Sequence, residues 1–541
     1  MSVAIPTPTR PLRGLAGYLV GTDHKSVGVR IFGTAFGFFL AGGVLALLMR
    51  SELARPGMQI TSRDGYNQLF TMHGSTMIYF FVTPVALALG TYLVPLQVGA
   101  AEIAAPRVNL IGFWLFLLGG VIAWSSFLTR NGAGAAAWTA EYPQSDSIGT
   151  PGAGMDLWIV GVWLGVLGTL LLGACILATL VGRRAPGMTM LRLPVFCWAM
   201  LVTSLMVVTS FPALLTAMGG LLLDRHGVHV YRGAYGASAY QDLFWFYGHP
   251  VVYVMFFPFV GAALQVIAAL SRRRLFGYKG VTLSLLAFAA LSMSVWGHHM
   301  FTTGQVSNDY FSLTSTMLAV PAGMEYVAAV GTLIGGTLLL RTPMLFAIGF
   351  FVQFLLGGLS GIYVASPPLD YHVHDSYLVV AHFHYTLLAG SVFGLFAAVY
   401  FWWPKVTGYL LREGLGKLHF WIFVVGTNLT FLPQFFLGYD GMARRIADYT
   451  AADGWTTGNT ISTVGSFVIA LSIVVFAVNV VVSWLVQRPA GPDPWEGQTL
   501  EWATSSPPPR QNFDGPLPPI RSAEPLVDWR EERARAEATA S

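Results

Sequence analysis

Charged residues are scarce in this chain of 541 residues: they make up 10% of it, while hydrophobic residues make up 54%. A soluble domain carries about a quarter charged residues. The composition therefore excludes an ordinary soluble protein and predicts a membrane protein that crosses the bilayer many times. The formal net charge is only +4, and the arginines are scattered over loops rather than gathered in one stripe. Nothing in this pattern indicates a nucleic-acid partner.

Cysteine is nearly absent. Cys175 and Cys197 both lie in apolar stretches and are expected to pack as small hydrophobic side chains rather than to form a disulfide. There is no Cys-x-x-Cys-His motif for an attached c-type haem and no cysteine pair at metal-binding spacing. No short apolar segment with a cleavage site precedes the first long apolar run, so no signal peptide is expected.

Long apolar runs are abundant, and each can cross a bilayer as a helix of about 20 residues. We predict an all-α integral membrane protein whose transmembrane helices enclose the functional site. Twelve such helices are predicted near residues 30–49, 72–98, 109–128, 155–182, 193–218, 242–270, 280–300, 311–340, 344–365, 373–403, 417–438 and 460–486. The predicted domains are a cytoplasmic N-terminal segment (1–29), the twelve-helix core (30–486) and a Pro-rich cytoplasmic tail without its own core (487–541).

The basic residues support this count because they concentrate in alternate loops, as the positive-inside rule requires. The loops assigned to the cytoplasm contain Arg183, Arg184, Arg192, Arg272, Arg273, Arg274, Lys279, Lys405, Arg412 and Lys417. The opposite loops after the seventh and ninth helices contain Asp309, Asp370 and Asp375. Five arginines break the rule and need another explanation: Arg50, Arg55, Arg63, Arg444 and Arg445.

Histidines within the apolar runs are the most informative residues, because an imidazole inside a bilayer is costly and usually functional. Six of them, in short clusters, stand out: His73, His249, His298, His299, His382 and His384. Successive residues of a helix are about 100° apart. His382 and His384 therefore point to opposite faces and can each ligate a different haem. With His73 as a second axial ligand, one haem is saturated and transfers electrons, whereas the other keeps an open face.

The remaining three histidines are predicted to bind copper. His298 and His299 are neighbours, and His249 lies on the helix before them. Three neutral imidazoles with few other ligands suit copper among the common metals. Tyr253 follows His249 by four residues and shares its helical face, so its phenol could supply an electron and a proton to a reaction at the metal.

These residues lie in motifs by which the chain resembles subunit I of the haem–copper terminal oxidases, and above all bacterial cytochrome c oxidases. The resemblance runs from Thr22-Asp-His-Lys25 to Thr499-Leu-Glu-Trp-Ala-Thr-Ser-Ser-Pro-Pro-Pro509. Its most specific motif is His-Asp-Ser-Tyr-Leu-Val-Val-Ala-His-Phe-His-Tyr, residues 374–385. The resemblance implies reduction of O2 to water with electrons from cytochrome c, coupled to proton uptake and pumping, in a bacterial cytoplasmic membrane with both termini cytoplasmic.

The resemblance also implies cofactors and their ligands. His73 and His384 match the ligands of a low-spin haem, His382 matches the ligand of a high-spin haem, and the haem type is expected to be haem A. The copper site, CuB, matches His249, His298 and His299, and Tyr253 matches a tyrosine cross-linked to the first of these histidines. His374 and Asp375 match magnesium ligands. Haem contacts are expected from Arg50 with a formyl group, from Arg444 and Arg445 with propionates, and from Trp138. Arg50 has an alternative interpretation as a helix-end residue whose charge reaches toward water.

The family has a proton path called the D path, and several of its usual residues are different in this chain. The usual glutamate after His-Pro is Val251 here, and a branch that uses Tyr-Ser instead is matched only by Tyr247, since Gly248 replaces the serine. Glu102 replaces the aspartate at which this path begins. Asn109 fits a path asparagine, whereas Thr91 replaces another.

The second proton path, named for its lysine, departs further. The usual Pro-Thr-Gly-x-Lys reads Pro321-Ala-Gly-Met-Glu325, and the serine expected one helix earlier is Leu264. Our hypothesis is that Glu325 carries protons in a modified path. The alternative is a helix-face residue near the membrane boundary, paired or hydrated.

Partner subunits and an electron donor are expected, and three alternative functions are considered. The resemblance implies a subunit II with the electron-entering copper site and a magnesium carboxylate, a subunit III, and cytochrome c or an attached c-type cytochrome as donor. A quinol oxidase of the same fold is the main alternative, but the histidine typical of quinol members is Gly65 here. Nitric oxide reductases lack the pairing of His249 with Tyr253. A secondary transporter would use the histidines as a proton relay and would be colourless.

Overall fold

The structure is a computed structural model, and it describes residues 14–540. Between these residues it is helical, with no β-strand. Twelve helices are long and apolar enough to cross a membrane. We label them α1 (His24–Glu52), α2 (Arg63–Gln97), α3 (Pro106–Leu128), α4 (Ala153–Gly182), α5 (Val195–Arg225), α6 (Gly236–Leu270), α7 (Tyr278–Thr303), α8 (Asn308–Leu333), α9 (Thr342–Val364), α10 (Tyr377–Thr407), α11 (Glu413–Tyr439) and α12 (Thr456–Val486).

The all-α fold and the number of spanning helices predicted from the sequence are confirmed. The ends differ by several residues in places. The eighth helix was predicted to reach 340 but ends at Leu333, because Ile334 is extended and Gly335 has a left-handed backbone with φ of +73°. Shorter helices cover Gly14–Val20, Pro367–Val373 and Pro525–Ala540.

The helices that carry the six histidines are not regular. Helix α2 contains a π-helical stretch, Thr76–Val82, just after His73, and α10 contains another, Leu388–Val392, just after His384. The last turns of α7, Trp296–Thr303, form a 3₁₀ helix that includes His298 and His299. Such departures from α geometry often occur at functional sites, because they turn side chains away from the regular helical positions.

Small residues allow some neighbouring helices to pack backbone against backbone. A methyl group added to Gly119 of α3 would lie 2.5 Å from the carbonyl oxygen of Gly161 in α4. A methyl group on Gly168 of α4 would lie 2.6 Å from the carbonyl oxygen of Gly112 in α3. This close packing of small residues is typical of helix pairs in membranes, where little hydrophobic force drives association.

The segment after α12 packs against one end of the helix bundle, which we call the tail side. Leu500 and Trp502 are 0% and 3% exposed. The ammonium of Lys405, near the end of α10, donates to the carbonyl oxygens of Thr504 (2.9 Å) and Ser505 (3.2 Å). The tail thus adds its apolar side chains to the core of the helix bundle. The domain boundaries at 29 and 487 stay predictions.

Candidate haem and copper site

Three histidines converge at the junction of α6 and α7. The Nδ1 atom of His249 lies 3.2 Å from Nε2 of His299, and Nε2 of His298 lies 3.2 Å from the same atom. One nitrogen from each ring falls within 4.8 Å of the other two. Three uncharged nitrogen ligands at this separation can share one metal ion, and the donor set fits copper.

Neighbouring side chains fix two of these rings. His298 uses Nδ1 to bond the hydroxyl of Ser315 in α8 at 2.7 Å, which leaves Nε2 for the metal. The ring of His299 stacks on Trp245 of α6, with centroids 4.0 Å apart and planes 12° apart. Such outer partners hold metal-binding imidazoles in one orientation and keep the correct nitrogen free.

His249 faces the cluster with Nδ1, and its other nitrogen is left over. The Nε2 atom is buried and has no hydrogen-bond partner. The ring of Tyr253 lies 4.6 Å from the ring of His249, centroid to centroid. An unpartnered buried nitrogen beside a phenol fits the predicted pairing of these two residues.

The three histidines predicted to bind haem iron share one feature: each bonds a backbone carbonyl through Nδ1. His73 bonds Gly42 O at 2.9 Å, His382 bonds Gly357 O at 3.1 Å, and His384 bonds Val380 O at 2.8 Å. A carbonyl oxygen can only accept, so each Nδ1 carries the proton and each Nε2 has a free lone pair. The donor set therefore fits axial ligation of haem.

His382 and His384 lie on different sides of α10. The hydroxyl of Ser360 in α9 lies 3.0 Å from Nδ1 of His382. The ring of His384 instead stacks on Phe431 of α11, with centroids 4.2 Å apart and planes 13° apart. The two rings thus face different neighbouring helices, as their spacing indicated.

Arg50 is buried near the end of α1, with 7% of its surface exposed. Its Nη2 atom donates to the backbone and side-chain oxygens of Asn459 at 3.0 and 2.9 Å. Its Nε and Nη1 atoms are buried without a hydrogen-bond partner. An incompletely paired buried guanidinium is costly, which favours a haem substituent as its missing partner over a helix-end residue that reaches for water.

Arg444, Arg445 and Trp138 lie on the side of the bundle opposite the tail. Arg444 pairs with Asp375 and retains a buried Nε without a partner. Arg445 lines a cavity of about 150 Å³ together with Phe70. Burial, followed by the charge of Arg444, lowers the pKa of Arg445 to about 10. The ring of Trp138 packs 6.0 Å from that of Trp245, which in turn stacks on His299.

The predicted magnesium ligands face different partners. His374 bonds the carboxylate of Asp370 through Nδ1 at 3.0 Å, whereas Asp375 pairs with Arg444. Burial lowers the pKa of His374, but the hydrogen bond and charge of Asp370 outweigh it, so the pKa is raised. Within residues 14–540, His374 and Asp375 do not belong to a cluster of three close metal-binding side chains. Magnesium binding by this pair stays a prediction.

A second cluster of titratable side chains lies on the tail side. Asp23, His24 and Glu102 offer ligand atoms within 4.8 Å of one another. The ammonium of Lys25 lies 3.3 Å from the carboxylate of Asp23 and already neutralises it. Burial raises the pKa of Glu102 to about 7. Glu102 can therefore exchange a proton near neutral pH, as a proton-uptake group must.

The other predicted proton-path residues are buried in the bundle. Both side-chain amide atoms of Asn109 and the Oε1 atom of Glu325 lack a hydrogen-bond partner. Glu325 is 1% exposed and lies in α8, eight residues before the end of that helix at Leu333, and Tyr247 is also 1% exposed. Unpartnered buried polar atoms are the usual positions of internal water, which could link such groups.

Two of the changed proton-path positions carry buried apolar side chains. Val251 and Leu264 are both 0% exposed. A methyl group on Gly248 would lie 2.7 Å from the ring of Trp245, so a serine there would require the tryptophan to move. Glycine at position 248 therefore leaves room for Trp245 to stack on His299.

Four contributing residues escaped the sequence analysis: Ser315, Ser360, Asn459 and Trp245. Trp245 precedes His249 by four residues, and this helical spacing was a usable signal. Ser315 and Ser360 lie 17 and 22 residues from their partners, on the neighbouring helix, and Asn459 lies 409 residues from Arg50. No spacing rule connects them to those partners.

Comparison with known proteins gives consistent results. Residues 26–468 match the family described as cytochrome c and quinol oxidase polypeptide I. A probable cytochrome c oxidase subunit 1-beta of Nocardia farcinica is 50% identical over 527 residues, which are 96% of this chain and 90% of that relative. A cytochrome c oxidase subunit 1 of Corynebacterium efficiens is 47% identical over 530 residues, which are 97% of this chain and 91% of that relative.

A solved structure shares the fold. It belongs to a haem–copper terminal oxidase dimer determined by cryo-electron microscopy. The TM-score is 0.71 at 17% sequence identity, and the match covers 84% of this chain and 83% of that one. Similarity at this level of identity supports the arrangement of the helices.

Proposed function

Because this chain belongs to the family of cytochrome c and quinol oxidase polypeptide I, we propose a role for each residue of its histidine site. It is the catalytic subunit of a terminal oxidase, an oxidoreductase with oxygen as acceptor, and its family implies haem and copper. When bound, the open haem and copper supply electrons and coordination sites for the reduction of O2 to water.

The proposed haem ligands are His73 and His384 for a low-spin haem and His382 for a high-spin haem. The proposed copper ligands are His249, His298 and His299. One observation carries the haem assignments: in all three haem candidates Nδ1 bonds a backbone carbonyl, which leaves Nε2 available for iron. The chain itself thus fixes tautomer and ring orientation before any cofactor binds.

An optical spectrum of the purified complex tests the assignment of the haems. We expect two haem signals in the reduced-minus-oxidised spectrum, with only one shifted by carbon monoxide, since His73 and His384 would both hold the iron of the other haem. Two shifted signals would contradict the pairing of His73 with His384. Folded protein without haem would contradict all the ligand assignments and would revive the transporter alternative.

Haem A is the proposed haem type. Arg50 supports it, because a formyl oxygen could accept from the guanidinium nitrogens that lack a partner. Extraction of the pigment and comparison of its reduced pyridine spectrum with haems A, B and O would test this proposal.

Contacts at the haem edge and with partner subunits are also proposed. Arg444 and Arg445 would bind propionates by charge-assisted hydrogen bonds, with Trp138 packed nearby. His374 and Asp375 would hold magnesium with a carboxylate of subunit II. Metal analysis of the assembled complex, with and without a chelator, tests the magnesium assignment.

Tyr253 is proposed to donate to the reaction at the metal. Its ring adjoins His249, whose buried Nε2 has no hydrogen-bond partner. A covalent bond between that nitrogen and the tyrosine ring would explain this unpaired atom. Trypsin leaves both residues in the single peptide 233–272, and mass spectrometry would detect this peptide lighter by two hydrogens.

The proposed electron donor is cytochrome c or an attached c-type cytochrome, delivered through subunit II, and the complex includes a subunit III. Gly65 in place of the quinol-type histidine supports this donor, as do relatives named cytochrome c oxidase subunit 1. We further propose that the tail side faces the cytoplasm of a bacterial cell, because the predicted cytoplasmic basic residues lie in its loops.

Protons are proposed to enter at Glu102, near Asn109, with Tyr247 farther along this path, and separately through Glu325. Glu102 lies on the tail side with a pKa of about 7, raised chiefly by burial. Glu325 is 1% exposed, which supports the proton-carrying hypothesis over a residue at the membrane boundary.

Replacement of Glu325 by glutamine tests the second path. We expect steady-state turnover per haem to fall at least about tenfold, because the amide keeps the size of the side chain but cannot carry a proton. The matched control is Glu413→Gln, since that carboxylate bonds the backbone of Thr342 at a helix start. Turnover equal to that of the unmodified enzyme would contradict the role of Glu325.

A further inference from the structure

The tail contains a buried asparagine that bonds three separate segments. Asn512 is 0% exposed although it is a tail residue. Its Oδ1 atom accepts from the ammonium of Lys25 at 2.8 Å, and its Nδ2 atom donates to Ala100 O at 2.8 Å. The same Nδ2 atom lies 3.0 Å from Nε2 of His24. One side chain thus joins the tail, the start of α1 and the loop between α2 and α3.

The directions of these hydrogen bonds follow from the partner of Nδ1, the other ring nitrogen of His24. Nδ1 of His24 lies 3.0 Å from Thr91 O, which can only accept. Nδ1 therefore carries the proton, and in the neutral ring Nε2 must accept. Asn512 is the residue that donates to it. The amide oxygen, Oδ1, also lies 3.1 Å from Nε2 of His24, but its hydrogen-bond donor is the ammonium of Lys25.

The backbone at Asn512 also suits asparagine. Its φ is +71°, in the left-handed region that asparagine tolerates better than most residues with a side chain. Lys25 additionally donates to Arg510 O at 3.0 Å. The turn at 510–512 is thus fixed by its own conformation and by two bonds from one ammonium.

The backbone of His24 contacts Glu102, the proposed proton-uptake group. The backbone nitrogen of His24 donates to Oε1 of Glu102 at 3.1 Å, and the nitrogen of Ile103 donates to the same oxygen at 3.0 Å. Charged and titratable groups around this carboxyl are Asp23, Lys25 and His24. Movement of the start of α1 would therefore remove a hydrogen bond that favours the charged form of Glu102.

We propose that Asn512 is a positioning residue for proton uptake: by holding His24 between Thr91 and the tail, it fixes one of the two backbone donors that stabilise the charged carboxylate of Glu102. This inference rests on the proposed role of Glu102. It makes the turn at 510–512 part of the uptake site, although about 400 residues separate it from Glu102 in sequence.

The test compares turnover per haem from pH 6 to 9 in four variants of the assembled enzyme. These are Asn512→Ala, Gln511→Ala, Glu102→Gln and the double variant Asn512→Ala/Glu102→Gln. Gln511 is the matched control, because its side chain is exposed and bonds Asp514. We expect Asn512→Ala to move the pH profile upward by about one unit, since the carboxylate loses a donor, and Gln511→Ala to leave it unchanged. Asn512→Ala should have no further effect on the profile of Glu102→Gln.

Different results overturn different statements. A profile for Glu102→Gln equal to that of the unmodified enzyme would contradict both the uptake role of Glu102 and the inference. Impaired Glu102→Gln with an unshifted Asn512→Ala profile would contradict the inference alone. If Asn512→Ala does not assemble, the isosteric Asn512→Asp, which cannot donate to Ala100 O, is measured instead. Failure of both to assemble, while Gln511→Ala assembles, would assign Asn512 to folding and overturn the inference.

Discussion

Four of the candidate ligand histidines are held through Nδ1, which leaves Nε2 free for a metal. His73, His382 and His384 bond carbonyl oxygens, and His298 bonds the hydroxyl of Ser315. This hydrogen bond selects the tautomer and prevents ring rotation, so less order has to be created when a metal binds. Ser315 itself donates to the carbonyl oxygen of Phe311, one turn earlier in α8.

At the residue scale, we predict that Ser315→Ala lowers copper affinity about 10- to 100-fold, because His298 loses the partner that orients it. Copper and iron in the purified complex are measured by mass spectrometry after dialysis against a graded series of a copper chelator. Thr316→Ala, which removes a neighbouring hydroxyl bonded to the backbone of Ser312, should retain copper like the unmodified chain. Equal copper retention in both variants would mean that Ser315 does not support His298.

Helices in this molecule serve two distinct purposes, and their local geometry differs accordingly. Those with the cofactor histidines contain π or 3₁₀ turns next to the ligands, which place side chains where a regular helix would not. The pair α3 and α4 instead approaches closely along Gly112, Gly119, Gly161 and Gly168. Its role is to give the bundle a tightly packed edge.

At the element scale, we predict that Gly119→Ala destabilises the enzyme by about 1–3 kcal/mol, because the added methyl group would collide with the backbone of α4. The measurement is the temperature at which carbon-monoxide binding is lost in detergent. Gly37→Ala in α1 is the matched control, since a methyl group there meets no atom within 4 Å. An unchanged transition temperature for Gly119→Ala would show that α3 and α4 can separate without cost.

On the scale of the whole molecule, the tail covers one end of the helix bundle and joins helices there. Glu501 is 0% exposed and accepts hydrogen bonds from Gln97 (2.9 Å), Trp402 (3.0 Å) and Gln265 (3.1 Å), which belong to α2, α10 and α6. Burial raises the pKa of this carboxyl. Three helices that are distant in sequence are thereby joined through one tail residue.

Deletion of 498–541 is predicted to lower the thermal transition of the complex. The loss of Leu500 and Trp502 alone removes about 1.5–3 kcal/mol of burial energy each, and Gln97, Trp402 and Gln265 lose their shared acceptor. Deletion of 533–541 is the control, because residues 533–539 are exposed. Both truncations are followed by haem absorbance during heating. Equal transitions would mean that the tail does not stabilise the bundle.

The sequence alone determined the membrane class, the twelve helices and the histidine pattern, because each depends on local spacing: about 20 apolar residues for a span and about 100° between successive helical side chains. The resemblance in the motif 374–385 led to the family that the comparisons confirm. Only the tertiary structure brought Ser315 to His298, Asn459 to Arg50 and Asn512 to His24. Hydrogen bonds between residues of different elements leave no periodic trace in a sequence, since they depend on how those elements pack.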